Sequence, residues 1–157
     1  MSSTVDFEAI YSALFKIVTG AISNVGQIKI QSRALRHWDD VPPAQQPAVF
    51  MTEAGFNAAS AQHYNMPTIW RCHAKFYLYA QTGNQGSMKP TDEAPSSIMN
   101  PLLRAIITAV QPQPGVKEQD LGGLVTMCRV QGEIITDEGM LGSQAVMIVP
   151  VFALVAG

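Results

Sequence analysis

Between Thr68 and Ala80 the chain reads TIWRCHAKFYLYA, and its apolar residues fall on alternate positions. Trp70, Cys72, Ala74, Phe76 and Leu78 share one face of an extended chain. Ile69, Arg71, His73, Lys75, Tyr77 and Tyr79 share the other. A period of two predicts a strand with one core face and one mixed, aromatic face. Mixed aromatic faces are common at protein interfaces.

The first twenty residues follow a different period. Phe7, Ile10, Leu14, Ile17 and Ala21 recur at helical spacing, which predicts a helix from about Val5 to Thr19. Ser3 or Thr4 can cap it, Asp6 and Glu8 suit the positive end of its dipole, and Gly20 lies near its end. After Asn24-Val25-Gly26 the period returns to two: Ile28 and Ile30 alternate with Lys29 and Gln31, and the run reaches Trp38. Asp39-Asp40-Val41-Pro42-Pro43 stops it, because proline cannot donate to a ladder and Asp favours turns. Pro47-Ala48-Val49-Phe50-Met51 then resumes as a second strand, with its proline at the tolerated first position. The segment reads as a rigid two-strand corner. Trp38 anchors it over the sheet end; Pro47 and Trp70 are the other expected anchors.

Residues 54–67 read as a loop, and so does the Gly/Pro/Ser-rich stretch from Gln81 to Ser96. A loop as long as the second is usually functional or disordered. A second helix follows, opened either by a Ser97 cap or by an Asn100 cap with Pro101 at the first helical position. Ile98, Leu102, Ile106 and Val110 share one of its faces, and Pro112 and Pro114 end it. A third loop covers about 112–123. The β-rich runs Val125–Thr136 and Gln144–Val155 form a closing hairpin about DEGMLGS. Arms of that length reach about 40 Å when extended, so they bend or project, with Gly132 and Pro150 as bend points. The predicted fold class is α+β: a single domain with a mixed or antiparallel sheet, a long C-terminal hairpin and two packed helices. A chain of 157 residues can bury a core of that kind.

Composition adds one point. Apolar residues make up 47% of the chain and charged residues only 14%, with a net charge of −2. About 25% charge is usual for a soluble domain. Sparse charge leaves a lone subunit poorly protected against association, so part of the surface is expected to be covered by other copies or partners. No basic cluster marks a nucleic-acid surface. The polar N-terminus has no signal-peptide character, and the apolar stretch Ala145–Ala156 is too short for a membrane helix.

The chemistry-bearing residues favour structure over catalysis. Cys72 and His73 are neighbours in a strand, so their side chains point to opposite faces and cannot form a nucleophile–base pair. Cys72 and Cys128 read as reduced, buried thiols. The acid pairs Asp39-Asp40, Asp92-Glu93 and Asp137-Glu138 all fall in expected turns. There is no metal-ligand spacing and no phosphate loop. The expectation is a non-enzyme with no catalytic residue, cofactor or metal.

The element order, with RALRHWDDVPPAQQPAVF leading into its second strand and WRCHAKFYLYA as the long amphipathic strand, resembles the tail terminator family of tailed bacteriophages. The longer Gln81–Ser96 loop and closing hairpin depart from the family layout. The resemblance implies a ring, usually of six subunits, that sits on the last layer of the tail tube, stops its growth and receives the head–tail connector. Partners would then be other copies, the tail-tube protein and the connector or stopper protein. DNA would pass through the lumen only as cargo, and no membrane would be involved. The protein would be assembled in the host cytoplasm and reside at the virion's tail–neck junction. Candidate interface residues are Arg71, Lys75, Tyr77 and Tyr79 on the mixed strand face, Met88 in the long loop, and Met140 and Leu141 at the hairpin tip. Another neck or tail protein, such as a stopper or tube subunit, is the near alternative. A small-ligand-binding or enzymatic α+β domain is the distant one.

Overall fold

A computed structural model describes residues 5–26, 28–59, 67–81, 96–111, 118–141 and 144–157. The elements are α1 (Phe7–Ser23), β1 (Ile30–Ser32), β2 (Ala48–Ala59), β3 (Ile69–Gln81), α2 (Ser96–Val110), β4 (Met127–Val130), β5 (Ile135–Leu141) and β6 (Gln144–Ala156). Among the described residues the strands form one mixed sheet in the order β1-β2-β3-β6-β4, with β5 also paired to β6. All pairings are antiparallel except the parallel β1–β2 pair. The chain is therefore α+β, with both helices on one face of the sheet. β6 is the spine: it pairs along its whole length with β3 and on its other side with β4 and β5.

The core lies between helices and sheet. Cys72, Ala74, Phe76 and Leu78 from β3 and Met147, Val149, Val151 and Ala153 from β6 face Ile10, Leu14, Val18 and Ile22 of α1 and Leu102 and Ile106 of α2. The Tyr11 hydroxyl crosses this layer and donates to the His73 carbonyl at 2.9 Å. At the start of α1 an aromatic group closes the core. Phe7 meets Phe56 and Trp70 edge-on at 4.8 and 5.5 Å between centroids.

Several sequence expectations change. α1 begins two residues late, capped by Asp6, whose carboxylate accepts the Ala9 N–H at 3.0 Å; Ser3 and Thr4 lie outside the described residues. It also runs through Gly20 to Ser23, because Ile22 continues the buried stripe and outweighs one glycine's helix penalty of about 1 kcal/mol. Tyr11 and Val18 share that stripe, while Phe7, Ile17 and Ala21 flank it. The expected loop at 54–67 is half strand, since β2 continues to Ala59. Gly55, at φ 109°, makes a bulge between Glu53 and Gly55 that resets the register and breaks the alternation.

α2 opens at Ser96, so Pro101 lies inside the helix and the Asn100 cap does not form. Its buried stripe adds Met99 and Ala105 to Leu102, Ile106 and Val110. The first arm of the hairpin is two strands, not one. β4 ends at Val130, opposite Val151, and β5 starts at Ile135, opposite Ile148. Pro150 lies opposite the break, where its missing N–H costs no ladder bond on that side. Gly132, at φ 117°, makes the turn there, with space for a Cβ only 3.2 Å from the Pro150 ring. Asp137 and Glu138 therefore sit in a strand and not in a turn.

Candidate interaction surface

Cross-strand register fixes which side chains share the face away from the helices. One row runs Val146, Tyr79, Ala48 and Ile30; the next runs Ile135, Ile148, Tyr77 and Phe50. The segment joining β1 to β2 folds over these rows. It is a parallel connection, which needs a crossover and not a tight turn. Two short 3₁₀ turns, Trp38–Asp40 and Pro43–Gln45, build it. The His37 ring nitrogen Nδ1 accepts the Asp39 N–H at 3.2 Å. The buried Gln46 amide donates to the Val41 carbonyl at 3.0 Å. Lys29 N–H donates to the Pro47 carbonyl at 2.9 Å and ties both ends of the corner together.

Under this corner lies a second, smaller core. Val41, Ala48, Phe50 and Tyr79 are buried in it, and Trp38, Tyr77, Ile30 and Val146 pack around them. Phe50 and Tyr79 rings lie 5.4 Å apart. The Tyr79 hydroxyl donates to the Arg36 carbonyl at 2.7 Å, and burial raises its pKa. Arg33 links the start of the corner to both layers, pairing with Glu8 of α1 and, at 3.5 Å, with Glu53 of β2.

The corner covers only one half of this outer face. Beyond Tyr77 the rows run Pro150–Lys75–Thr52, Arg129–Phe152–His73 and Met127–Leu154–Arg71. No described element packs over them, and Ile148, Pro150, Phe152 and Leu154 are each partly exposed. Ile69 and Ile135 at its margins are 40% and 52% exposed. Lys75 and Arg71 stand exposed among these apolar side chains, and no described carboxylate pairs with either. Arg129, by contrast, pairs with Glu118.

The predicted interface residues separate on this map. Arg71 and Lys75 lie on the bare half, and Tyr77 lies at its border with the corner. Tyr79 does not belong with them: it is 5% exposed and is the floor of the corner. Its alternation was legible, but the corner that covers it comes from a segment some forty residues earlier. Met140 and Leu141 fall within β5, and Met88 lies outside the described residues. Trp38 packs against the small core, and Trp70 against Phe7. The apolar outer row of β6 was the missed signal. Val146, Ile148, Phe152 and Leu154 alternate with an equally apolar inner row, a pattern of strands buried on both faces.

The remaining chemistry is buried or capped. Cys72 and Cys128 are buried free thiols, and burial pushes them up to about 11 and about 12. Neither is poised as a nucleophile at neutral pH. A shallow cavity of about 700 Å³ lies on the outer side of the helices, between the end of α1 and α2, lined by Ala21, Val25, Pro101, Arg104 and Ala109. It holds one charged side chain and no carboxylate, so it offers no acid–base pair.

Neither a protein-family model nor a curated protein matches the sequence. The fold does match solved structures. A chain in "Virion of native gene transfer agent (GTA) particle" superposes with a TM-score of 0.52 at 9% sequence identity, covering 94% of this chain and 98% of that one. At that identity the likeness is one of fold, from end to end of both chains.

Proposed function

We propose that this chain is a structural virion protein, and within that class a ring-forming tail terminator. The end-to-end fold match to a chain of a gene transfer agent virion carries the reading. The bare, partly apolar sheet face and the 14% charge content support it, since both suit a subunit covered by neighbours. In this reading the chain has no catalytic role. Copies close a ring and not an open filament, because a head-to-tail contact whose rotation closes leaves no free end. The ring caps the tail tube, stops its growth and offers its far side to the head–tail connector, while DNA passes through the lumen as cargo.

Light scattering on the purified protein, with negative-stain images, tests this. Six copies of 17.0 kDa make a particle of about 100 kDa, seen as discrete rings. Long tubes would assign the chain to the tube itself. A monomer at high concentration, together with virions lacking the chain, would overturn the reading.

A further inference from the structure

The outer face of the sheet has a step. The corner adds a layer over the rows of Tyr79 and Tyr77, and the rows from Lys75 to Arg71 lie bare beside it. The raised part carries exposed Asp39 and Asp40 beside Leu35, which is 43% exposed, and Pro42. Arg36 is its one cation apart from the ion-paired Arg33. The recessed part carries Arg71 and Lys75 among Ile148, Pro150, Phe152 and Leu154. The two parts are complementary in charge and relief, and each presents exposed apolar atoms. One chain carries both.

We propose that the occupant of the bare half-sheet is the Leu35–Pro42 corner of a second copy of this chain. Asp39 and Asp40 of the incoming corner lie against Arg71 and Lys75, and its Leu35 and Pro42 cover Pro150 and Phe152. Each copy gives a corner and receives one, so the contact is head-to-tail and can close a ring. Opposite charges set the register, and the apolar area supplies most of the affinity. The proposal rests on the ring reading above and names the two surfaces that meet in it.

Charge reversal in pairs tests it. Arg71→Glu with Lys75→Glu, and separately Asp39→Lys with Asp40→Lys, should each weaken association at least tenfold at low salt. Melting curves measured at a concentration where wild type is monomeric should not move, which separates lost contact from lost folding. Mixing the two variants should restore the assembly, since the basic corner of one then meets the acidic half-sheet of the other. A merely misfolded variant would not be rescued this way. Rings that persist in both variants would overturn this contact and leave the ring reading standing. Dissociated variants that stay dissociated on mixing would overturn the charge register. A wild-type monomer would remove the ring reading and this contact together, whereas a two-copy particle with the same mixing behaviour would keep the contact and remove the ring.

Discussion

The two faces of β6 are almost equally apolar and meet different fates. Ala145, Met147, Val149, Val151, Ala153 and Val155 point at the helices, and none is more than 8% exposed. Val146, Ile148, Pro150, Phe152 and Leu154 point the other way. Only Val146 reaches a core, the small one under the corner. A strand in a sheet with one wet face normally alternates apolar and polar. Here the polar half of the alternation is missing, so the strand has the composition of one covered on both sides. The difference lies in what supplies the cover: the chain's own helices on one face, and on half of the other, nothing described within the chain.

Substitutions of equal chemistry on the two faces should therefore act on different equilibria. Phe76→Ala, at a fully buried inner position, should cost about 3–5 kcal/mol. That lowers the melting temperature by roughly 10 °C for a domain of this length. Phe152→Ala on the bare half should change monomer stability by less than about 1 kcal/mol and instead weaken self-association. Urea melts and light scattering on both variants check this. Equal stability losses would mean that Phe152 is covered within its own chain.

The covered half of the outer face predicts intermediate costs. Trp38→Ala should cost about 2 kcal/mol, less than a full core truncation because Trp38 keeps some exposure. Tyr79→Phe should cost about 1 kcal/mol through the lost bond to the Arg36 carbonyl. If Tyr79→Phe left the urea midpoint unchanged, the corner would not depend on that hydroxyl.

What the sequence made legible follows from how local each signal is. The β3 alternation is a property of thirteen consecutive residues, and the strand forms as its period requires. The α1 stripe and the bend at Gly132 are local in the same sense. The failures are places where a distant segment decides. Gly55 reads as a loop residue until β3 is present to pair with β2 across a bulge. Tyr79 reads as exposed until the corner arrives from Arg36 to Val41. The run from Ile28 to Trp38 reads as eleven residues of strand, yet β2 accepts only three of them before the chain must leave to cross over. The bare half-sheet was legible only as composition: low charge marked that some surface needs a cover, and the register was needed to say which.

Thiol chemistry gives the finest probe of the two faces. Both native cysteines point into the inner core, Cys72 on β3 and Cys128 on β4, and burial raises each above the ordinary value of 9.0, to about 11 and about 12. The folded state thus holds these protons more tightly than the unfolded one. The stability gained this way is complete below pH 9 and is lost as pH rises through about 11 and then about 12. At pH 8 both thiols should resist iodoacetamide until the protein unfolds, because the thiolate is the reactive form and neither site exposes it. Lys75→Cys places a thiol on the outer face of the same strand, three residues from Cys72. Mass spectrometry of the labelled variant should show one adduct per chain, at residue 75, while the protein is dilute. Raising the concentration should slow that labelling several-fold as a second copy covers the site, with Cys72 and Cys128 still unmodified. Rapid labelling of residue 75 at every concentration would show that copies associate elsewhere. Labelling of Cys72 in the folded protein would show that the helices do not seal the inner face.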